Sequence, residues 1–255
     1  MQKEKFQACN REGMKVDKLY IIIPAYNEEE TIESVAKEWH KITLKVGESA
    51  RLVVIDDGSK DDTFQLLEEL KKILPQLIIL TKENGGHGAT LLYGYQYAMD
   101  HNADFIFQTD SDGQTISDEF WEFWEARNEY DAQIGFRKKR QDGLGRIFVT
   151  KVLKLVIYIQ FRLRIKDANT PFRLIKGSVM KEIYPLIPKD YKLSNVLLTI
   201  LLTKYNYNLR FLPITFRARQ GGVNSINMKR IIKIGKETWR DFGELREVVK
   251  NAKTS

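Results

Sequence analysis

The sequence contains very little cysteine and proline, and each shortage excludes a class of protein. One cysteine, Cys9, occurs among 255 residues, so the chain cannot form an internal disulfide, and a reducing compartment is expected. No cysteines and histidines are spaced to hold zinc. With 6 prolines, 16 glycines and 43% hydrophobic residues, disordered and collagen-like classes are excluded. The composition indicates a globular protein of one large or two small domains.

The sequence also lacks a long apolar run. Residues 1–17 contain no uninterrupted hydrophobic segment of the kind that a signal peptide needs. The most hydrophobic stretch, residues 147–165, is interrupted by Gln160 and by lysines and arginines, and it falls short of the ~18 apolar residues of a membrane span. We therefore expect a cytoplasmic protein that does not cross a membrane.

Positive charge is concentrated in one segment. The whole chain has 41 lysines and arginines against 34 acids, a net charge of +7. Residues 136–166 hold ten lysines and arginines with Asp142 as their only acid, a local charge of +9, so the rest of the chain is slightly acidic. A basic amphipathic segment suits nucleic acid, an anionic bilayer surface or a phosphorylated substrate, and composition does not choose among them.

The first half of the chain alternates strand-like and helix-like patterns. Strands are predicted at 19–24, 51–55, 77–81 and 104–109, and helices at 28–45, at 61–74 and after the glycine-rich turn 84–88. This alternation of strands and helices predicts an α/β fold whose mainly parallel sheet is covered by helices on both faces. In the second half we predict strands at 133–135, 170–175 and 209–216, and helices at 146–165, 195–205 and 227–249.

Polar residues follow the predicted parallel strands, where ligands bind in sheets of this kind. Asp110 and Asp112 come after the fourth strand with Gln114 close by, and two carboxylates with a neutral oxygen suit Mg²⁺ or Mn²⁺ bound together with substrate phosphates. A solvated turn that ends the strand is the alternative for these acids. Asp56 and Asp57 form a second acidic loop at the same edge.

The turn at 84–88 differs from the known phosphate-binding loops. Leu91 stands where the third glycine of GxGxxG would be, and no GK[ST] follows, so dinucleotide enzymes and P-loop NTPases are disfavoured. The glycines either contact a substrate directly or allow a close helix entry.

Four ordered motifs resemble those of one enzyme family. They are IIIPAYNEEETI at 21–32, VVIDDGSKDDT at 53–63, ENGGHGATLLYGYQYA at 83–98 and QTDSDGQT at 108–115. Together they resemble a family 2 glycosyltransferase with the GT-A fold, and the resemblance continues through GFR at 135–137, DANTPFRLIK at 167–176 and LPITFRARQGGVNSI at 212–226. Within the family, the chain looks most like the polyprenyl-phosphate sugar transferases of the dolichol-phosphate mannose synthase type.

The resemblance implies a domain division and a set of site residues. Residues 1–17 would be an N-terminal tail, 18–226 the GT-A glycosyltransferase domain and 227–255 a C-terminal amphipathic helix. Positions that match nucleoside-binding residues are Pro24, Tyr26, Glu28 and Asp56, with Asp57 and Asp110 added to the donor site. Positions that match the metal motif are Asp110, Asp112 and Gln114, and the positions matching basic residues that meet phosphates are Arg137, Arg146 and Arg219. Asp167 and Arg173 belong to a recurring motif without an assigned role.

By the same resemblance, the chain would be an inverting, metal-dependent glycosyltransferase with Mg²⁺ or Mn²⁺ as cofactor. Its expected donor is a UDP- or GDP-linked sugar, and its expected acceptor is a polyisoprenyl phosphate reached peripherally at the inner face of the cell membrane. Asp112, Arg137 and Arg146 are the predicted catalytic residues, and nucleic acid is not an expected partner.

The chain departs from the family pattern at positions that bear on the substrate. His87 stands where relatives often have lysine, and Thr170 and Pro171 replace small residues, which leaves the sugar open. Members that glycosylate a hydroxyl usually carry an acid near the start of the helix at 195–205, where this chain has Asn195. A hydroxyl acceptor needs a base, whereas a lipid phosphate is already anionic, so Asn195 favours a phosphate acceptor.

Other functions stay open at this point. A family 2 enzyme acting on a hydroxyl acceptor in cell-surface polysaccharide or glycolipid synthesis would need a base, for which Asp190 is the candidate. A nucleic-acid-binding protein would use the basic helix but leave the acidic loops unexplained. A nucleotide-sugar sensor would bind the donor without turnover. The apolar stripe of the helix at 227–249 either packs on the catalytic domain or binds a membrane partner.

Overall fold

The computed structural model describes residues 16–137, 144–189, 191–217, 239–240, 242–243 and 246, with the backbone alone for 144–149. Most of the predicted tail, most of the helix at 227–249, Asp190 and Arg219 therefore lie outside the described residues. No helix within the described ranges is long and apolar enough to cross a membrane.

The first half forms the alternation that the sequence predicts. Its strands are β1 (Leu19–Ala25), β2 (Arg51–Asp56), β3 (Leu77–Thr81) and β4 (Phe105–Gln108). The helices between them are α1 (Ile32–Val46), α2 (Thr63–Lys71) and α3 (His87–Asp100). The four strands are parallel, and they fill one side of the sheet in the order β3-β2-β1-β4. Their carboxyl ends therefore open onto one edge.

The second half completes the seven-stranded sheet with β6 (Arg173–Lys176), β5 (Ala132–Arg137) and β7 (Leu209–Ile214), in that spatial order after β4. Strand β6 runs antiparallel to β4 and β5, whereas β7 is parallel to β5. The helices of this half are α4 (Phe120–Glu125), α5 (Leu144–Phe161), α6 (Gly177–Ile183) and α7 (Ser194–Lys204). The sheet is mainly parallel with helices packed on it, as predicted.

Three features of the second half differ from the sequence expectation. Helices α4 and α6 were not predicted, because 6 and 7 residues are too few for a helical period to show. Strand β6 begins at Arg173 instead of residue 170, since Arg173 pairs with Gln108, the last residue of β4. Residues 167–172 consequently form a loop at the edge of the sheet that carries the polar loops.

Two hydrophobic clusters cover the two faces of the sheet. One gathers aromatic rings around Phe107, which lies 5.3 Å from Trp39 and 4.8 Å from Phe172, centroid to centroid. The other joins α3, α5, α6 and α7. Phe242 from the C-terminal segment is fully buried in this second cluster, 5.5 Å from the ring of Phe161 on α5, whereas Trp239 is 47% exposed. The segment is thus packed on the domain through Phe242.

Candidate active site

A cleft of about 450 Å³ lies at the carboxyl ends of β1, β2 and β4. It is bounded by the loops that follow these strands and by the N-terminal turn of α3. Six of the residues predicted from the sequence line it: Pro24, Tyr26, Glu28, Asp57, Asp110 and Asp112.

The loops after β1 and β2 are tied together by hydrogen bonds. The amide of Asn27 donates to the Ser59 hydroxyl at 3.0 Å, and the amide of Lys60 donates to the Asn27 side-chain oxygen at 2.8 Å. Asn27 itself has a φ of 53°, a left-handed conformation that asparagine tolerates. Tyr26, the neighbour of Asn27, is 40% exposed and lines the cleft. An exposed ring there offers a flat surface on which a nucleobase can stack.

The two neighbouring acids after β2 have different surroundings. Asp56 accepts hydrogen bonds from the Ser59 amide and the Thr81 hydroxyl, both at 3.2 Å, and it is not among the described residues that line the cleft. Asp57 lines the cleft and accepts from Lys82 Nζ at 2.6 Å. The structure therefore brings Asp57 to the predicted donor site and places Asp56 behind it.

Asp57 also fixes the glycine-rich turn that begins α3. Its two oxygens accept from the amides of Gly85, at 2.9 Å, and Gly86, at 2.8 Å. Burial raises the pKa of this carboxyl, but the hydrogen bonds from Lys82 and Gly85 outweigh that effect, so the pKa lies below its usual value. Gly86 has a φ of 82°, a left-handed value that favours glycine at this turn.

The predicted metal motif stands at the end of β4. Asp110 Oδ1 lies 3.0 Å from His87 Nε2, and Asp112 Oδ1 accepts a hydrogen bond from the backbone N–H of Gln114 at 3.1 Å. Loss of water around the His87 ring lowers its pKa, while the charge and hydrogen bond of Asp110 raise it, and the net pKa is above the usual value. Gln114 Nε2 donates to the carbonyl of Arg217, which leaves its Oε1 as the possible metal ligand.

The donor set fits a cation held partly by its substrate. In the part of the chain that the structure describes, no three histidine, cysteine or carboxylate side chains gather into a closed metal site. Two carboxylates facing a cleft are what Mg²⁺ or Mn²⁺ needs when phosphate oxygens complete the shell. Asp110 and Asp112 would hold such an ion, and the ion would neutralise a diphosphate leaving group.

A second cavity of about 370 Å³ lies on the other side of this motif. The two cavities share His87, Asp110 and Asp112. The far wall of the second cavity is made by α5, by the loop at 167–171 and by the residues before and at the start of α7. Its charged and amide side chains are Arg137, Lys154, Asp167, Asn169, Lys192 and Asn195. Asp110 and Asp112 thus separate two binding spaces.

Arg137 lines the second cavity and forms an ion pair that the sequence did not reveal. Its Nε and Nη2 atoms donate to the two oxygens of Asp167, at 3.0 and 3.2 Å, and the guanidinium lies 5.2 Å from the centre of the Phe216 ring. Both members of the pair are nearly buried, at 11% and 6% exposure. Arg146 lies in the first turn of α5, and its side chain is outside the described part.

Two cations of the second cavity were missed as site residues. Lys154 projects from α5, and Lys192 precedes α7; neither forms an ion pair within the described residues. Lys154 belongs to the basic segment noted in the sequence, but nothing local singled it out. For Lys192 the only signal was its place three residues before Asn195.

An open, mainly parallel sheet with paired acids between two cavities defines the class: this is the GT-A fold of nucleotide-sugar glycosyltransferases. The model of the family described as Glycosyl transferase family 2 matches residues 20–183. The chain belongs to that family. The sequence-based identification and the fold class are thereby confirmed.

Curated relatives have similar sequences, and solved structures have the same fold. An undecaprenyl-phosphate 4-deoxy-4-formamido-L-arabinose transferase of Pseudomonas fluorescens is 22% identical over 217 residues, which cover 84% of this chain and 62% of that protein. The transferase of the same description from Pectobacterium atrosepticum is 30% identical over 140 residues, covering 54% of this chain and 42% of that protein. The chain thus spans less than two thirds of these relatives' length. Glucosyl-3-phosphoglycerate synthase from Mycobacterium tuberculosis, solved with UDP, superposes with a TM-score of 0.64 at 15% identity, covering 93% of this chain and 86% of that one.

Proposed function

We propose that the chain is an inverting, metal-dependent glycosyltransferase that moves a sugar from a nucleoside diphosphate sugar to a polyisoprenyl phosphate at the cytoplasmic face of the membrane. The observation that carries the proposal is the pair of cavities that share the Asp110 and Asp112 wall. A donor in one cavity and an acceptor in the other would place the bond to be broken beside the metal motif. The relatives named for undecaprenyl phosphate support this acceptor class.

The donor half would bind the nucleotide. Tyr26 and Pro24 present apolar surface to the base, while Glu28 and Asp57 offer carboxylates toward the nucleoside. The diphosphate would lie near Asp110 and Asp112, where Mg²⁺ or Mn²⁺ would stabilise the departing nucleotide. His87, held in place by Asp110, adds a hydrogen-bond donor close to these phosphates.

The acceptor half is suited to an anion that needs no base. Asn195 lines this cavity at the position where a hydroxyl-glycosylating enzyme would place its carboxylate. A lipid phosphate is already ionised, so its oxygen attacks the anomeric carbon without proton removal, and a carboxylate there would repel it. Lys154 and Lys192, which form no ion pair among the described residues, would attract the phosphate from two walls of the cavity.

The exposed face of α5 supports contact with a membrane surface. Leu155, Tyr158 and Ile159 are 57%, 38% and 44% exposed. The guanidinium groups of Arg162 and Arg164 lie 5.9 and 5.8 Å from the centre of the Tyr158 ring. Apolar side chains beside cations are typical of helices that lie at the headgroup boundary of anionic bilayers. Since Lys154 of the same helix lines the acceptor cavity, a lipid phosphate would enter from this side.

The experiment is transfer of label from pooled UDP- and GDP-sugars, with Mg²⁺ and Mn²⁺, into an organic-extractable polyprenyl phosphate. We expect label in the organic phase with the wild type, and a loss of about 100-fold or more with Asp112→Asn, because a metal ligand is removed. The matched control is Asp118→Asn, an exposed acid six residues further on, which should retain full transfer. Nucleotide binding without any label transfer would contradict the acceptor assignment.

A further inference from the structure

Arg173 is a fully buried cation in the first position of β6, with 0% exposure. It pairs in register with Gln108 at the end of β4, directly beneath the loop that carries Asp110. Among the described residues it forms no ion pair. Its guanidinium instead donates to the carbonyl of Thr170 at 2.6 and 3.1 Å, to the carbonyls of Asn195 at 3.1 Å and Ala168 at 3.4 Å, and to the Thr199 hydroxyl at 3.3 Å.

These bonds join two separate parts of the second cavity. Ala168 and Thr170 belong to the loop at 167–171, whereas Asn195 is in the first turn of α7. The Thr199 hydroxyl reinforces the junction, because it lies 2.8 Å from the Asn195 carbonyl and 3.1 Å from that of Ala168. One guanidinium thus holds the loop and the helix against each other behind Ala168 and Asn195, the lining residues that form the floor of the cavity.

A charge at this position carries an energetic cost. Burying an unpaired cation is unfavourable, and a well-packed apolar side chain would serve stability as well or better. Burial lowers the pKa of Arg173, while the nearby Tyr95, Asp167 and Asp110 favour its charged form. Arginine remains charged in proteins, so its positive charge acts directly under the cavity.

The two segments that Arg173 joins also contain polar atoms without hydrogen-bond partners. The side-chain oxygens of Thr170, Ser194 and Asn195 are buried and make no hydrogen bond with any part of the chain that the structure describes. Buried polar groups are normally satisfied, and exceptions call for an explanation such as a ligand or water. All three residues lie in the segments that Arg173 fastens, Thr170 in the loop and the other two in the first turn of α7.

We propose that Arg173 is a positioning residue for the acceptor: it builds the floor of the second cavity and supplies a buried positive charge that favours an anionic acceptor above it. The proposal deepens the proposed function and rests on it for the identity of the acceptor. By fixing the loop at 167–171, Arg173 also fixes the position of Asp167, which in turn orients Arg137 through two hydrogen bonds.

The test compares Arg173→Lys and Arg173→Met with the wild type in the full chain. Farnesyl phosphate is the acceptor probe, and UDP- and GDP-sugars are the donors. Lysine keeps the charge but not the planar set of donors, so we expect KM for the acceptor to rise about 10-fold in Arg173→Lys, and further in Arg173→Met. The donor dissociation constant should change by less than about 3-fold, because no bond of Arg173 reaches the donor cleft.

Hydrogen exchange provides a readout that does not depend on turnover. Both variants should exchange faster at residues 167–171 and 193–197 and at the wild-type rate at 24–28 and 84–88. Arg210→Met is the matched control, because Arg210 pairs with Glu122 outside both cavities and should affect neither readout. If Arg173→Met does not fold, Thr199→Val removes one bond of the junction and should give the same pattern with smaller amplitude.

The outcomes separate this inference from the proposed function. If the wild type transfers sugar to a hydroxyl acceptor and not to farnesyl phosphate, the proposed function fails, and the variants are measured with that acceptor. An unchanged acceptor KM together with unchanged exchange at 167–171 would overturn the positioning role. Equal losses in donor and acceptor binding would overturn it as well, because they indicate a general structural effect.

Discussion

The donor and acceptor halves of the site are built in different ways. The donor half comes from loops that follow consecutive parallel strands, and its side chains are held by hydrogen bonds between those loops, such as Asn27 to Ser59 and Asp57 to Gly86. The acceptor half is assembled from a loop, a helix start and α5, and its cohesion depends on two arginines that bond to Asp167 and to the carbonyl of Asn195. The ends of the predicted strands therefore locate the first half well, whereas no single sequence pattern locates the second.

The largest effect should come from Asp57→Asn in the donor half. This change weakens the bonds to Lys82 and to the amides of Gly85 and Gly86, and breaking a buried charge pair costs about 3 to 5 kcal/mol. We expect donor affinity to fall by about 100-fold, measured by titration calorimetry, since 1.4 kcal/mol corresponds to a factor of 10. The exposed neighbour Asp62→Asn should bind normally. An equal loss of donor affinity in both variants would contradict a specific role of Asp57 in the donor site.

The same carboxyl should contribute to the acid sensitivity of the protein. The pKa of Asp57 is depressed in the folded state, so its stabilising effect is present above the unfolded-state value near 3.8 and is lost as the pH falls through the folded pKa. In urea titrations between about pH 5 and pH 2, the wild type should therefore lose more free energy of unfolding than Asp57→Asn. If the free energies of unfolding of the two proteins fell in parallel with pH, this contribution of Asp57 would be disproved.

The acceptor half is tested next by Asp167→Asn. Asp167 holds Arg137 through two hydrogen bonds, and replacing the carboxylate leaves a nearly buried guanidinium poorly paired. We expect KM for farnesyl phosphate to rise about 10-fold while the donor dissociation constant stays within about 3-fold. A loss confined to donor binding would reverse the assignment of the two cavities.

The sequence revealed the donor half for an identifiable reason. The first four strands are apolar runs bounded by turn residues, so their ends, and with them Tyr26, Asp57 and Asp110, could be placed at one edge. The acceptor half gave no such signal. Arg137 looked like a free phosphate ligand because its pairing with Asp167 exists only when β5 packs beside the loop at 167–171. Lys192 lines the same cavity as Lys154 only because α7 packs near α5.

A smaller effect is expected at the boundary between the halves. A Cβ on Gly88 would lie 2.3 Å from the carbonyl oxygen of Tyr191 and 2.7 Å from that of Lys192, so Gly88→Ala must displace the segment that carries Lys192. We expect the acceptor KM to rise about 5-fold and the free energy of unfolding to fall by about 1 to 3 kcal/mol, as for other overpacked sites. Unchanged acceptor kinetics would show that this contact does not position Lys192.

The smallest effect is expected for Lys192→Ala. Its ammonium attracts the acceptor from the cavity wall without a fixed partner, so we expect the acceptor KM to rise about 3-fold at low salt and the difference to shrink at about 0.5 M salt, where surface charges are screened. Lys181→Ala, an exposed lysine at the opposite edge of the sheet, is the control and should have no effect. A salt-independent change would indicate a packing role.

The most direct measurement is a comparison of farnesyl phosphate and farnesol as acceptors, because they share the same lipid and differ in the phosphate. The proposed acceptor cavity has Asn195 in place of a base and is lined by cations. We predict that transfer to farnesyl phosphate exceeds transfer to farnesol by about 100-fold or more, because an alcohol needs general base catalysis, which contributes a factor of about this size. Equal transfer to both, or transfer to farnesol alone, would contradict it.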